Sequence, residues 1–246
     1  MKVSLILTTY NCRDNLRKTL KSIEQQDYPD IEIVIKDGVS TDGTLELIQQ
    51  YAGSHKNVIW KSETDTGIYD AMNQGYVLST GDIIAFFNDT FNVPDAVSKL
   101  VDAIEKGGSE CMGAHADLVY VDGEKVIRYW KMGEGKIKQG WMPGHPSLYL
   151  RRQIYEKYGL YDTSYRCAAD FEFMVRVLKD NDVTLAYVPE VLIRMFYGGT
   201  STGSLKSYYI SIRESYHALK KNKISFPGIV IAKRFVRVSL QFARAK

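Results

Sequence analysis

Residues 31–44 read IEIVIKDGVSTDGT, a mostly apolar run that passes through a polar turn into a helical pattern. A short apolar run that is bounded by turn residues and does not alternate with polar ones predicts a strand buried on both faces. The same succession begins again at Val3, Val58 and Ile83. Four such units in the first 90 residues predict an α/β fold, in which helices cover both sides of a mostly parallel sheet.

The polar residues of this region lie at the predicted carboxyl ends of the strands. They are residues 8–11, Asp37-Gly38, Asp65 and Asn88-Asp89. In open parallel sheets, ligands bind beyond these ends, at the point where the strand order reverses. A single aspartate in a turn also has an ordinary backbone role. Three acids at three strand ends favour a ligand site, and carboxylates there suit a divalent cation that holds a diphosphate.

The composition limits the class of protein. The 246 residues are 45% hydrophobic and 25% charged, which is typical of a globular chain with one large domain, or one domain and a tail. The three cysteines show neither metal nor disulfide spacing, which favours a reducing compartment. The apolar run at the N-terminus is too short for a signal peptide, and no run reaches the length of a membrane span. We therefore expect a cytoplasmic protein.

The C-terminal segment, residues 205–246, is strongly basic. It holds ten Lys or Arg and one acid, Glu214, in a chain whose net charge is only +3, so the rest of the chain is acidic. This distribution does not fit a nucleic-acid-binding fold and indicates one surface that meets an anionic partner. Residues 206–220 and 229–245 are predicted helices, and the second is basic and amphipathic. We expect it to lie on the inner face of a membrane, although packing against the body, or against a second copy in a homo-oligomer, fits the same pattern.

Seven blocks of sequence carry a family resemblance. They are TTYNC at 8–12, IVIKDGVSTDGT at 33–44, DTGIYDAMNQG at 65–75, STGDIIAFFNDT at 79–90, GHPSLYLRR at 144–152, AADFE at 168–172 and FYGGTST at 196–202. Their order resembles the family-2 glycosyltransferases of the GT-A fold over about the first 200 residues. The resemblance implies an inverting hexosyltransferase with a UDP-sugar as donor. It also implies a glycan or lipid-linked glycan as acceptor, in surface polysaccharide biosynthesis.

The resemblance implies roles for single residues of the donor site. Asp37 resembles the acid that hydrogen-bonds the nucleobase, and Asp65 resembles the acid that seats the nucleoside. A carboxylate can accept from the N–H edge of a base. The other implied donor-site residues are Thr8 and Tyr10 for the nucleoside, Gly67, Tyr69 and Asn73 for the phosphates and sugar, and Asn88 beside the metal position.

The expected metal motif is reduced. Where the family usually carries two close acids, residues 88–90 carry one and are about one residue short. Asp89 is then the single carboxylate ligand for Mn²⁺ or Mg²⁺, with His145 as a second candidate, while diphosphate oxygens and water complete the coordination. A structural role suits His145 nearly as well, and a metal-independent or inactive protein also fits this motif.

Asp170 stands at the predicted start of a helix, where the resemblance implies the catalytic base. The acceptor hydroxyl must lose a proton as it attacks the anomeric carbon, and a carboxylate can take that proton. The alternative is an acid that only stabilises the helix N-terminus, and Glu172 is the second candidate for the base. Gly198 and Gly199 are expected to form a loop that closes over the site.

These inferences predict a domain layout. Residues 1–204 form the transferase domain, with a Rossmann-like nucleotide-binding half at 1–92 and an acceptor half at 93–204, and residues 205–246 form a helical tail. A nucleotidyltransferase would carry a glycine-rich loop after the first strand, and the turn TTYNCRDN at 8–15 has no glycine. A non-catalytic nucleotide-binding partner on a decayed transferase fold stays open as the second reading.

Overall fold

A computed structural model describes residues 1–180, 182–197 and 205–243 of the chain. The strands are β1 (Val3–Thr9), β2 (Ile31–Asp37), β3 (Val58–Ser62), β4 (Ile83–Phe86), β5 (Thr90–Phe91), β6 (Cys111–Asp122), β7 (Lys125–Trp130), β8 (Tyr149–Arg151) and β9 (Thr184–Phe196). The α-helices are α1 (Arg13–Glu24), α2 (Thr44–Ser54), α3 (Ile68–Leu78), α4 (Ala96–Lys106), α5 (Arg152–Tyr158), α6 (Ala169–Leu178), α7 (Leu205–Lys221) and α8 (Pro227–Ala243).

These strands form one sheet in the order β3-β2-β1-β4-β8-β6-β9-β5, and β7 pairs with β6. Strands β1 to β4 are parallel to one another, and β8 runs antiparallel between β4 and β6. The chain passes from β1 through β2 to β3 on one side, then returns to β4 on the other side of β1. The strand order therefore reverses between β1 and β4, and a crevice for a ligand is expected at their carboxyl ends.

Alternate residues of β1 supply two hydrophobic cores, because successive side chains of a strand point to opposite faces. Leu5 and Leu7 pack into the core that includes residues of α1, α2 and α4. Ile6, between them, packs into the core that includes residues of α3, α5, α6, α7 and α8. All three side chains have no exposed surface. Both faces of the sheet are thus covered, as the uninterrupted apolar runs predict.

The predicted α/β architecture is confirmed, and the differences lie at short or irregular elements. The two-residue β5 and the three-residue β8 are too short for a periodicity to show, and the sequence analysis did not predict them. Strand β9 extends to Phe196, well beyond the apolar run at 183–188, because β6 continues to pair with it through several register shifts.

Helices α7 and α8 pack on the body of the molecule. Ala218 and Leu219 of α7 are fully buried, and Val230 of α8 is 3% exposed. Gly140 has a positive φ of 72°, and a Cβ placed there would lie 2.5 Å from the backbone nitrogen of Arg234. The backbone of α8 therefore lies directly against the turn that ends at Gly140, which only a glycine allows. Within the described residues, no helix has both the length and the apolar character needed to cross a bilayer.

Candidate active site

The crevice at the strand-order reversal is closed at its base by a pair of hydrogen bonds. Asn88, just after β4, accepts from the backbone N–H of Thr8 at 2.9 Å and donates to the Thr8 hydroxyl at 2.9 Å. These bonds use the Asn88 amide on both sides and fix the ends of β1 and β4 relative to each other. The two predicted donor-site residues thus lie together, at the position where a ligand of such a sheet binds.

Asp37 is fully buried, and its carboxylate is engaged by the surrounding hydroxyls. Thr9 and Ser40 donate to Oδ1 at 3.0 and 2.6 Å, and Ser62 and the backbone of Ser40 donate to Oδ2 at 2.7 and 3.0 Å. Burial alone would raise the pKa of Asp37, but these hydrogen bonds outweigh it and hold the pKa below its usual value. In this geometry the carboxylate orders the turn after β2.

Asp65 is the carboxylate that faces the crevice. Its Oδ1 accepts from the backbone N–H of Gly67 at 3.0 Å, and its Oδ2 lies 3.8 Å from the ammonium group of Lys36. Lys36 has no exposed surface, and its ammonium group also donates to the carbonyls of Asp37 and Glu63 at 2.9 and 2.6 Å. A buried cation needs such partners, and Lys36 in turn positions Asp65. The sequence analysis did not assign Lys36 a role.

Gly38 makes room for this arrangement. A Cβ at Gly38 would lie 2.9 Å from Oδ2 of Asp65 and 3.3 Å from the ring of Tyr10. Tyr10 is 69% exposed, so its ring offers a free face beside the carboxylate. An aromatic face next to a hydrogen-bond acceptor suits a planar base, which can stack on the ring and donate from its N–H edge.

Asp89 is 7% exposed and accepts one hydrogen bond, from the backbone N–H of Phe196 at 2.9 Å. Burial raises its pKa to about 7, and the hydrogen bond offsets only part of that rise. In the described part of the chain, no three His, Cys, Asp or Glu side chains gather in a way that could hold a metal ion. The protein thus offers a cation one carboxylate here, and the remaining ligands would have to come from the bound donor and from water.

Asp170 lies in the first turn of α6, and its carboxylate is held from the opposite side of the site. The hydroxyl of Tyr69, on α3, donates to Oδ1 of Asp170 at 3.0 Å. Burial, and then the charge of Asp170, raise the pKa of Tyr69 far above its usual value, so Tyr69 stays protonated as the donor. This bond fixes one oxygen of the carboxylate that was predicted as the base, and within the described part of the chain nothing donates to the other oxygen.

His145 and Asn73 lie next to this region, and His145 lines the same cavity as Asp170. Both contact Tyr161, whose ring is 5% exposed. The Nε2 of His145 lies 2.8 Å from the Tyr161 hydroxyl, and Asn73 exchanges two hydrogen bonds with the Tyr161 backbone at 2.9 and 3.0 Å. Burial lowers the pKa of His145, which favours the neutral ring. Its Nε2 is thus engaged with a tyrosine, and Asn73 holds α3 to the loop before α6.

Glu214 of α7 caps the helix that carries Asp170. Its carboxylate accepts from the backbone N–H groups of Arg166, Cys167 and Ala168 at 2.9, 2.8 and 3.0 Å. These N–H groups precede the first turn of α6, where donors are otherwise unsatisfied and negative charge is favoured. The sequence analysis counted Glu214 only as a charge, because a contact between positions 46 to 48 residues apart leaves no local pattern.

A cavity of about 330 Å³ opens beside Asp170, between the body and the C-terminal helices. Its wall is rich in aromatic and cationic side chains: Tyr120, Arg128, Trp130, Lys131, Trp141, Tyr208, Arg234, Phe235 and Arg237. Burial raises the pKa of Tyr120, and the charges of Asp89 and Asp170 add to that rise. Tyr120, which lines the cavity, therefore lies within electrostatic reach of both carboxylates.

The structure thus gathers the predicted residues into two neighbouring groups. Thr8, Asn88, Tyr10, Asp65 and Gly67 line or support the crevice, whereas Asp170 and His145 line the cavity. Tyr69, on α3, connects the two groups through its hydrogen bond to Asp170. Gly198 and Gly199, the predicted closing loop, lie outside the described residues.

Comparisons with known proteins show the family and the fold of the chain. A family model described as Glycosyl transferase family 2 matches residues 4–177. The putative glycosyltransferase EpsE of Bacillus subtilis (strain 168) is 34% identical over 233 residues, which are 92% of this chain and 77% of that protein.

Two solved structures share the fold. One is TarS 1-349 of S. aureus in complex with UDP-GlcNAc, with a TM-score of 0.74 and 18% identity over 96% of this chain and 72% of that one. The other is the mannosyltransferase PcManGT from Pyrobaculum calidifontis in complex with GDP-Man and Mn²⁺, with a TM-score of 0.66 and 17% identity over 99% of this chain and 75% of that one. These likenesses confirm the GT-A fold. With the family model matching most of its length, the chain belongs to glycosyl transferase family 2 and is a glycosyltransferase.

Proposed function

We propose that this glycosyltransferase moves a sugar, with inversion, from a UDP-sugar to a hydroxyl of a glycan or lipid-linked glycan in surface polysaccharide biosynthesis. The position of Asp170 is the observation that carries the proposal. Its carboxylate lines the cavity and receives one hydrogen bond from Tyr69 at 3.0 Å, and no other described residue donates to it. A base with that geometry suits a direct displacement.

In the proposed reaction, the acceptor hydroxyl approaches Asp170 from the cavity. Its oxygen forms a bond to the anomeric carbon as the bond from that carbon to the diphosphate oxygen breaks, and its proton passes to Asp170. The nucleoside diphosphate leaves with the bonding electrons. A single displacement of this kind inverts the anomeric carbon and needs no protein nucleophile.

Asp65 and Tyr10 are the residues that we propose for the nucleoside, because they face the crevice together. The TarS structure contains UDP-GlcNAc, which supports a UDP-sugar. The PcManGT structure contains GDP-Man and is the reason to test GDP beside it. Asp89 would hold Mn²⁺ or Mg²⁺ together with the diphosphate, and such a cation would offset the charge on the leaving group. His145 contributes as a support for Tyr161 in this proposal.

Calorimetry of the purified protein with UDP and with GDP, each with and without Mn²⁺, tests the donor assignment. We expect UDP to bind more tightly than GDP, and Asp65→Asn to weaken UDP at least tenfold because it removes a charged acceptor. Asp89→Ala should abolish only the part of the UDP affinity that depends on Mn²⁺. Asp102→Asn, at an exposed position on α4, is the matched control. Tighter binding of GDP than of UDP would assign a GDP-sugar as the donor. Binding of neither nucleotide would contradict the proposal.

Measurements of turnover distinguish a catalytic protein from a non-catalytic nucleotide-binding partner on a decayed fold. A catalytic protein should release free sugar slowly from its UDP-sugar and transfer it when a suitable acceptor is present. UDP binding without hydrolysis or transfer, across a panel of UDP-sugars and glycan acceptors, would favour a nucleotide-binding partner instead.

An exposed stripe on α8 supports a membrane-bound acceptor. Ile229 and Val236 of α8 are 53% and 58% exposed, and Lys233 lies between them in the same helical row. Phe226, just before the helix, is 74% exposed. Apolar and cationic side chains in one row suit the interface of an anionic bilayer. Sedimentation with vesicles of phosphatidylcholine alone, or with anionic phosphatidylglycerol added, tests this. The wild type should bind the anionic vesicles, and Phe226→Ser with Ile229→Ser should not. Dimerisation in light scattering that the same variant abolishes would assign the stripe to a second copy.

A further inference from the structure

Arg234 of α8 is turned toward the active site. The amphipathic pattern placed it with the polar face of the helix, but its guanidinium lies 4.2 Å from the ring centroid of Phe171, the residue after Asp170. Burial lowers the pKa of Arg234, and the charge of Asp170 partly opposes that change. The guanidinium is therefore partly buried at the cavity wall and within electrostatic reach of the proposed base.

This cation has a free hydrogen-bonding capacity. Among the residues that the structure describes, Arg234 forms no ion pair and donates no hydrogen bond, although a guanidinium has five N–H donors. Removing such a group from water without acceptors is costly. The cost is offset if an anion enters the cavity and accepts from the guanidinium in the two-pronged geometry that arginine favours.

The rest of the cavity wall has the same character. The Arg128 guanidinium lies 4.4 Å from the ring centroid of Tyr120, and its Nε donates to Gln241 at 2.7 Å. Arg237 donates to the carbonyl of Gln139 at 3.2 Å, and Lys131 lies at an exposed position. Four cations thus face one carboxylate, Asp170, among the charged side chains described around the cavity. A neutral sugar alone would bring no charge to complement Arg234.

In the proposed function, this cavity is the space from which the acceptor approaches Asp170. Its described lining includes Asp170 but not Tyr10, Asp65 or Asp89, which belong to the nucleotide crevice. Two of its walls come from α7 and α8. From these contacts we propose that the acceptor is an anionic glycan, with a phosphate or carboxylate near the accepting hydroxyl, and that Arg234 binds this anionic group. This inference relies on the proposed function for the role of Asp170.

Ligand-observed NMR titrations at constant ionic strength test the proposal, with UDP present at saturation to fill the donor site. The probes are glucose-1-phosphate, glucuronate and glucose. We expect at least one of the two anions to bind at least tenfold more tightly than glucose. Arg234→Gln should remove that preference, whereas Arg213→Gln, which changes an exposed arginine of α7 away from the cavity, should keep it. The stronger anion tells phosphate from carboxylate.

Three results would overturn the proposal: glucose bound as tightly as both anions, anion binding unchanged in Arg234→Gln, or UDP affinity lost in that variant. The last would assign Arg234 to the donor diphosphate. If Arg234→Gln does not fold, Arg234→Lys replaces it, and weaker anion binding with unchanged glucose binding is then expected. If the wild type binds no UDP, the proposed function fails. The same titrations without UDP then show separately whether the cavity prefers anions to glucose.

Discussion

The hydroxyl of Tyr69 donates a hydrogen bond to the carboxylate of Asp170 at 3.0 Å, although 101 positions separate the two residues. Tyr69 belongs to α3, beside the crevice, and Asp170 belongs to α6, beside the cavity. The bond therefore links the donor half of the site to the residue that we propose as the base.

Asp170→Asn should lower kcat by about 10²–10⁴, because it removes the proton acceptor. The amide can still accept the hydrogen bond from Tyr69, so the fold should be kept. Transfer assays and UDP calorimetry on the same preparation check this, with Asp102→Asn as the control. Equal losses of UDP affinity and turnover would show that Asp170 serves nucleotide binding.

Tyr69→Phe should lower kcat by roughly threefold to tenfold, in line with the loss of one hydrogen bond to a charged group. Transfer assays and urea unfolding on the same preparation measure this change. A loss of rate that is matched by a loss of stability would instead indicate a packing defect around Tyr69.

Glu214→Ala should destabilise the protein by about 1–3 kcal/mol, since it leaves three backbone N–H groups without their acceptor. It should also lower kcat, because the start of α6 loses its anchor. Glu214→Gln keeps an acceptor oxygen, so its losses of stability and of kcat should be smaller. Urea unfolding and transfer assays test these changes, and a fully stable, fully active Glu214→Ala would refute the cap.

Gly38→Ala should weaken UDP binding by about tenfold, because the new Cβ would lie 2.9 Å from Oδ2 of Asp65 and displace that carboxylate. Gly53→Ala is the matched control, since a Cβ there meets no atom within 4 Å. Calorimetry with UDP measures both. Equal UDP affinity in the two variants would show that Asp65 does not need its present position.

The stability of the protein should fall as the pH drops from about 6.5 to about 4 because of His115. Burial lowers the pKa of this 1%-exposed ring to about 4, and its Nδ1 has no hydrogen-bond partner. The unfolded chain therefore binds the proton first, so this contribution is complete above pH 6.5 and lost toward pH 4. The full effect is roughly 3 kcal/mol.

Urea unfolding at several pH values, compared between wild type and His115→Phe, measures that contribution. The variant cannot bind the proton and should show a shallower decline over this range. His145, whose pKa is also lowered by burial, contributes in both proteins. Parallel pH curves for the two proteins would rule out His115 as the source.

The crevice could be predicted from the sequence because its signals are local. Each strand ends in a polar turn, so the positions of Thr8, Asp65 and Asn88 follow from the order of elements. The orientation of their side chains does not follow. Asp37 and Asp65 look equivalent in the sequence. In the structure, the hydroxyls of Thr9, Ser40 and Ser62 donate hydrogen bonds to Asp37, whereas Asp65 faces the crevice.

The acceptor side could not be predicted in the same way. Arg234 and Glu214 act through contacts with distant segments, and the helical periodicity of their own sequences places both among ordinary surface charges. Arg234 points inward because the backbone of α8 packs directly against Gly140. Such a close approach between two backbones cannot be predicted from the pattern of hydrophobic residues.

The family match ends at residue 177, whereas the carboxylate that anchors the start of α6 comes from residue 214. We therefore predict that exchanging residues 205–243 between relatives changes acceptor preference. A chimaera that takes this segment from a relative should acquire the relative's choice of acceptor only if the incoming segment presents an acid in the place of Glu214. A chimaera without that acid would gain the relative's cavity wall but lose the contact that positions the start of α6 and, with it, Asp170.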